Sequence, residues 1–385
     1  MVGITRIWST TGLLATLLAL CLPAYAPAQS PRGGQELPLL YDWVPDGTPM
    51  AEIRALNADR YAIVYQNILP RKGASGIVDI DLVLAHLREK LPRNYRGWGV
   101  LDFEGAFLER LRKGPGHPHH EATSDSLRKT IDAVKREWPG SRWAFWGLPD
   151  VRFWINDKGE QPVSWFSAST AQKEREFKRQ AAAFQGLLES VDWITPWIYD
   201  MYSFQATKPS DRMSSIAAQK AWARAKMTLC KRVLASRRNG PIPVIPMFCP
   251  AFAPGGNVTK PTFVPMKEFV DEVLEPTMTG EVDGLSLWTG MGYRVYNAFR
   301  DPENPHQVDL RDQSRDRLKT LLFRDTPFDW NAPNAEVRIN DAIRSQLMEQ
   351  LQLMRKALNS LETGKDADTP ESDASHGETS PSRRP

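Results

Sequence analysis

The 385-residue sequence has three cysteines, which excludes the dense disulfide framework that staples small secreted domains. An excess of one charge is also missing. Lys and Arg number 49 against 46 Asp and Glu, a balance that does not announce a nucleic-acid binder. The apolar run at 12–23 is too short to span a bilayer comfortably. No Gly-rich nucleotide loop follows the first strand-like segment, which counts against a dinucleotide fold. Hydrophobic residues at 41% and charged residues at 25% exclude collagen-like and wholly disordered chains. What the chain has in excess is tryptophan, 13 residues, together with 30 prolines. Large flat side chains suit sugar stacking, and they suit core packing as well.

The ends of the chain differ from its middle. Arg6, the apolar run GLLATLLALCLP (12–23) and Ala26-Pro27-Ala28 together read as a secretory signal over 1–28. The large Leu20 before Cys21 argues against lipid attachment there. The expected location is secreted or periplasmic, with no membrane association once the signal is removed. Cys230 and Cys249 would remain, enough for a single disulfide or for none. At the other end, 363–385 is built of Asp, Glu, Ser, Thr and Pro and is expected to be disordered. Before it, Ile343, Leu347, Leu351, Met354, Leu358 and Leu361 recur at spacings of four and three. That stripe predicts an amphipathic helix over 335–362, docked on the main domain or pairing with another chain, with docking preferred.

Between them, 29–330 reads as one catalytic domain. Strand-like runs occur at 39–44, 61–67, 98–104, 143–148, 193–199, 242–248 and 284–290. Helical patterns at 78–91, 126–138 and 171–191 fall between them. This alternation is the pattern of βα units around a parallel sheet. The fold class expected is α/β: a distorted (β/α) TIM-like barrel of about seven parallel strands plus the C-terminal helix.

In such barrels the C-terminal ends of strands carry the chemistry. In WGVLDFE (98–104), Trp98, Val100, Asp102 and Glu104 share a face. Asp102 and Glu104 are therefore two carboxyls held close, and repulsion with partial burial should keep a proton on one of them. Glycoside cleavage needs such an acid to protonate the leaving oxygen. A pair of solvated acids at a strand end is the bland alternative. Gly284, Ser286 and Trp288 share a face of the last strand, small residues below an aromatic at the mouth.

Four segments in order, WGVLDFEGAF (98–107), RWAFWGLPDVRFW (142–154), VDWITPWIYDMY (191–202) and DGLSLWTG (283–290), resemble the hyaluronidases of glycoside hydrolase family 56. Phe103 stands where that family carries Trp, and PMFCPAF (246–252) offers no match to its second tyrosine. The resemblance implies a general acid/base at Glu104 with Asp102 as its partner. It also implies Tyr199 near the substrate's acetamido group and Trp288 as a platform. Trp146 and Tyr202 are expected as further substrate contacts, although a loop aromatic such as Tyr202 can equally cap the core. The implied activity is retaining, substrate-assisted cleavage of an N-acetylhexosamine-containing polysaccharide or glycosaminoglycan, with no cofactor. Two other readings stay open: a barrel glycosidase with a carboxylate nucleophile, and a non-catalytic carbohydrate-binding barrel.

Weaker features are read as structural. His117, His119 and His120 in a Gly-Pro loop match no standard metal spacing, so no metal is expected. Asp192 and Asp200 flank the fifth strand-like run and are expected in polar networks. Asn257-Val258-Thr259 is a glycosylation sequon.

Overall fold

The computed structural model describes residues 36–151, 154–155, 163–201, 212–252, 262–280, 282–300, 305–323 and 326–366. The expected signal segment, the sequon and Tyr202 lie outside the described residues, as does the tail beyond residue 366.

The protein is a mixed α/β structure of parallel strands and helices. Its strands are β1 (Leu39–Tyr41), β2 (Ala58–Arg60), β3 (Ala62–Tyr65), β4 (Trp98–Asp102), β5 (Arg142–Phe145), β6 (Trp154–Ile155), β7 (Val163–Ser164), β8 (Met247–Phe248) and β9 (Leu285–Leu287). One sheet runs in the order β2-β1-β9-β8 and a second in the order β3-β4-β5, all pairs parallel. β6 and β7 form a small antiparallel pair. Tyr61 separates β2 from β3, and its N–H donates to Tyr41 O at 2.9 Å. The stretch 58–65 therefore serves both sheets.

The strand expected at 193–199 is present only as isolated parallel bridges. Trp146 pairs with Thr195, Ile194 with Val244, and Trp197 with Met247. The reason is proline. Pro196, Pro243 and Pro246 each accept a hydrogen bond from a neighbouring strand but have no N–H to return, so the ladder is interrupted. The same deficit shortens the expected strand 242–248 to β8.

The helices are α1 (Met50–Ala55), α2 (Ile80–Lys90), α3 (Ala106–Leu111), α4 (Pro118–Glu137), α5 (Thr170–Leu188), α6 (Arg212–Leu234), α7 (Met266–Glu268), α8 (Glu275–Met278), α9 (Met291–Phe299), α10 (Pro305–Phe323) and α11 (Ala335–Asp366). Their starts are written locally. Asp79 caps α2 by accepting from Leu82 N, and Ser169 with Gln172 forms a reciprocal capping box on α5. α4 begins well before the expected 126, with His117 as its N-cap and Pro118 in the first turn. His117, His119 and His120 thus open a helix instead of lying in a loop. Among the described residues, no helix is long and apolar enough to cross a membrane.

Trp138, Trp143, Trp193 and Trp222 are fully buried, so part of the tryptophan excess is core. The stripe on α11 is buried too, at Ile343, Leu347, Leu351, Met354 and Leu358. Its docking is fastened by Arg355, which donates to the carbonyls of Leu37, Leu56 and Asn57. The helix continues to Asp366, past the start of the expected disordered tail.

Candidate active site

β4 ends at Asp102, and Phe103 and Glu104 lead into Gly105, whose φ of +53° starts α3. That backbone region is costly for residues with a Cβ, which explains a glycine at this turn. The Glu104 N–H donates to Gln66 Oε1 at 2.9 Å, anchoring the turn to the end of β3. Asp102 is buried, whereas Glu104 keeps an exposed side chain. A carboxyl–carboxyl hydrogen bond joins them. Burial raises the Asp102 carboxyl well above its ordinary value, and the Glu104 charge raises it further. Glu104 is raised by desolvation and partly lowered again by the bond from Asp102. The proton therefore rests on the deeper group, with the accessible one accepting from it.

Glu104 opens into a cleft of about 310 Å³ whose lining includes Trp146, Trp197, Tyr199, Cys249 and Trp288. The four aromatics among these form a column. Trp146 and Trp197 are parallel at 5.9 Å, Trp197 and Tyr199 are 5.2 Å apart, and Tyr199 stacks on Trp288 at 5.5 Å. Trp146 Nε1 donates to the Tyr199 hydroxyl at 3.1 Å, and that hydroxyl donates to Met247 Sδ at 3.7 Å. A thioether is a weak acceptor, so the tyrosine proton can be redirected to a substrate oxygen at little cost. Gly147, at φ +70°, makes room for the column, since a Cβ there would stand 2.7 Å from Trp197 Cδ1.

Trp288 is held at three points. Its Nε1 donates to the Tyr65 hydroxyl at 2.9 Å, its face packs on Tyr199, and the turn after it is bound by Asp42. The Asp42 carboxylate at the end of β1 accepts from Thr289 N, the Thr289 hydroxyl and Gly290 N. Burial pushes the Asp42 carboxyl up to about 6.

Four of the sequence candidates therefore meet in one cleft: Glu104, Trp146, Tyr199 and Trp288. Asp102 stands behind Glu104 and is not among the lining residues. Asp192 does serve a polar network, bonding to Lys135 and to Trp143 N. Cys230 and Cys249 are both free and buried. Among the described residues no group of three or more His, Cys, Asp or Glu side chains is arranged to hold a metal ion.

Sequence reasoning missed Tyr65, Arg294 and Arg317. Tyr65 had a signal, an aromatic at the C-terminal end of a strand. The arginines had none, because they lie on α9 and α10 beyond the last strand. Both line the cleft, and among the described residues neither is ion-paired. Burial, together with the neighbouring charge of Arg317, pushes the Arg294 guanidinium down to about 10.

No family model and no curated protein matches this sequence. Among solved structures, a monoclinic crystal form of bee venom hyaluronidase is similar at a TM-score of 0.45 and 14% identity, over 74% of this chain and 98% of that one. The bee venom enzyme in complex with a hyaluronic acid tetramer gives 0.46 and 14%, over 74% and 97%. An α-galactosidase from Lactobacillus brevis gives 0.29 and 12%, over 83% of this chain and 41% of that one.

Proposed function

We propose that this chain is an exported glycoside hydrolase that cleaves an acidic, N-acetylhexosamine-containing polysaccharide with retention of configuration. The observation that carries the reading is the proton-sharing Asp102–Glu104 pair, whose accessible member faces an aromatic cleft. We further propose that the sheets are parts of one closed barrel. The parallel pairings and bridges support it, since they can be followed from β3 through β4, β5, 194–197, β8, β9 and β1 back to the 58–65 stretch.

In the proposed mechanism the carbonyl oxygen of the sugar's own 2-acetamido group attacks the anomeric carbon. The shared proton passes from Asp102 to Glu104 along their hydrogen bond, and the bond to the leaving oxygen breaks as Glu104 delivers that proton to it. A water then attacks the same carbon and gives its proton back to Glu104, and two inversions restore the configuration. Burial lets the pair hold a proton that an exposed carboxyl pair would have lost, and Asp102 acts through its hydrogen bond to Glu104. Tyr199 contacts the acetamido group, and Trp146, Trp197 and Trp288 pack on sugar faces. Among the described lining residues Glu104 is the one carboxylate, which favours substrate assistance over a carboxylate nucleophile. Arg294 and Arg317 favour a glycosaminoglycan, because an anion between two half-buried guanidiniums relieves their repulsion.

Reducing-end release from hyaluronan, chondroitin, chitin and peptidoglycan tests this reading. Cleavage of an acidic N-acetylated polymer is expected, with no release from a substrate whose 2-acetamido group is replaced by hydroxyl. A covalent sugar adduct on any Asp or Glu, found by mass spectrometry with a fluorinated slow substrate, would instead show a carboxylate nucleophile.

A further inference from the structure

Lys226 lies in the middle of α6 with no exposed surface, and the chemistry above makes no use of it. Its ammonium donates to Asp150 Oδ1 at 3.0 Å and to the Trp197 main-chain carbonyl at 2.6 Å. The same nitrogen stands 3.4 Å from the centroid of the Trp197 ring and 4.3 Å from that of Trp222. Asp150 uses its other oxygen to accept from Arg112, the C-cap of α3, at 3.4 Å. Trp222 is tied in turn through Nε1 to Val151 O at 2.6 Å. A buried cation costs several kcal/mol in lost hydration, and an apolar side chain of the same volume often packs as stably or better. Stability therefore gives little reason for a lysine at this position. Position does: one nitrogen holds Trp197 by its backbone and by its ring together, on the side of the residue that faces away from solvent.

We propose that Lys226 is a positioning residue that holds the Trp197 indole as a fixed wall of the cleft for a sugar ring. This rests on the reading of the cleft as a saccharide site. Because the hold is partly a cation–π attraction, it requires the ammonium form. Burial pushes Lys226 down to about 8, with Arg112 adding to the fall and Asp150 opposing it. Cys230, the remaining titratable neighbour, sits one turn along α6 and is itself pushed up to about 12, so it stays neutral through this range. Raising the pH through about 8 therefore removes the charge facing the ring and loosens Trp197.

The test uses the intact protein. Trp197 and Trp222 lie 4.9 Å apart at 63°, a geometry whose coupled transitions give a circular dichroism couplet sensitive to ring orientation. In wild type the couplet should titrate once, with a midpoint near 8, between about pH 6 and about pH 10. Lys226→Met should abolish that titration and raise KM for a hyaluronan oligosaccharide about tenfold with a smaller change in kcat. Asp150→Asn keeps the lysine but removes the negative charge beside it, so its midpoint should move down. It carries the test if Lys226→Met does not fold. A couplet that fails to titrate in wild type overturns the proposal. So does one that titrates unchanged in Lys226→Met, or a midpoint unmoved in Asp150→Asn. A couplet that behaves as expected in a protein that cleaves no saccharide would sink the hydrolase reading while supporting the hold on Trp197.

Discussion

The Trp288 indole donates to the Tyr65 hydroxyl across 223 residues of sequence, at 2.9 Å. Tyr65 lies opposite Asp102 in the β3–β4 register. The ring proposed as sugar platform is therefore pinned to the strand beside the acid pair, so platform and proton donor keep a common frame. Removing the pin in Tyr65→Phe deletes one oxygen and leaves the partly buried indole N–H without its partner. The expected cost is about 1 kcal/mol of stability and about a tenfold loss in kcat/KM. Thermal unfolding measured beside kinetics checks both. A destabilised variant with normal specific activity would show that the bond serves packing alone.

Glu104→Gln removes a proton donor and almost no volume. Turnover should fall by about 10²- to 10⁴-fold while ligand affinity stays close to wild type. Calorimetric titration with a substrate oligosaccharide, paired with rate measurements, separates the two quantities. A variant within a factor of a few of wild-type turnover would remove Glu104 from the chemistry.

Asp102→Asn should act on both the pH–rate profile and stability. Asp102 is raised in the folded protein by burial and by the Glu104 charge. Its contribution to stability is thus complete below its unfolded value, about 4, and is lost as pH rises through the folded value. Wild type should therefore lose stability relative to Asp102→Asn on going from acid to neutral pH, as read by urea unfolding at a series of pH values. The acidic limb of the rate profile should shift in the variant, because an amide cannot exchange a proton with Glu104 as the Asp102 carboxyl does. Superimposable profiles would argue that the two groups titrate independently.

Arg294→Gln and Arg317→Gln address substrate charge. Each should raise KM for a hyaluronan oligosaccharide about tenfold and flatten its dependence on salt. Binding of a chitin oligosaccharide of equal length should change little. Equal losses for the acidic and the neutral ligand would assign the arginines to the structure of the α9–α10 wall.

Alternating strand and helix patterns were legible because each reports a local period, and the capping signals at Asp79 and Ser169 are local as well. So was the closeness of Asp102 and Glu104, which stand two residues apart where β4 runs out into its C-terminal turn. The amphipathic stripe of α11 likewise announced a buried face, although what it would pack against could not be read from it. The sequence by itself thus determined the α/β alternation, the position of the acid pair at a strand end and the excess of tryptophan. Only the tertiary structure decided which tryptophans are core and which line the cleft, because burial depends on which elements meet. It alone brought Tyr65 to Trp288, set Arg294 and Arg317 in the cleft and put Lys226 behind Trp197. These relations join residues from separate helices and strands, and no periodicity along the chain encodes them. Proline also acted at this level. Pro196, Pro243 and Pro246 sit in runs that read as strands by apolar pattern, but a ladder requires N–H donors, and that requirement appears only when strands are paired.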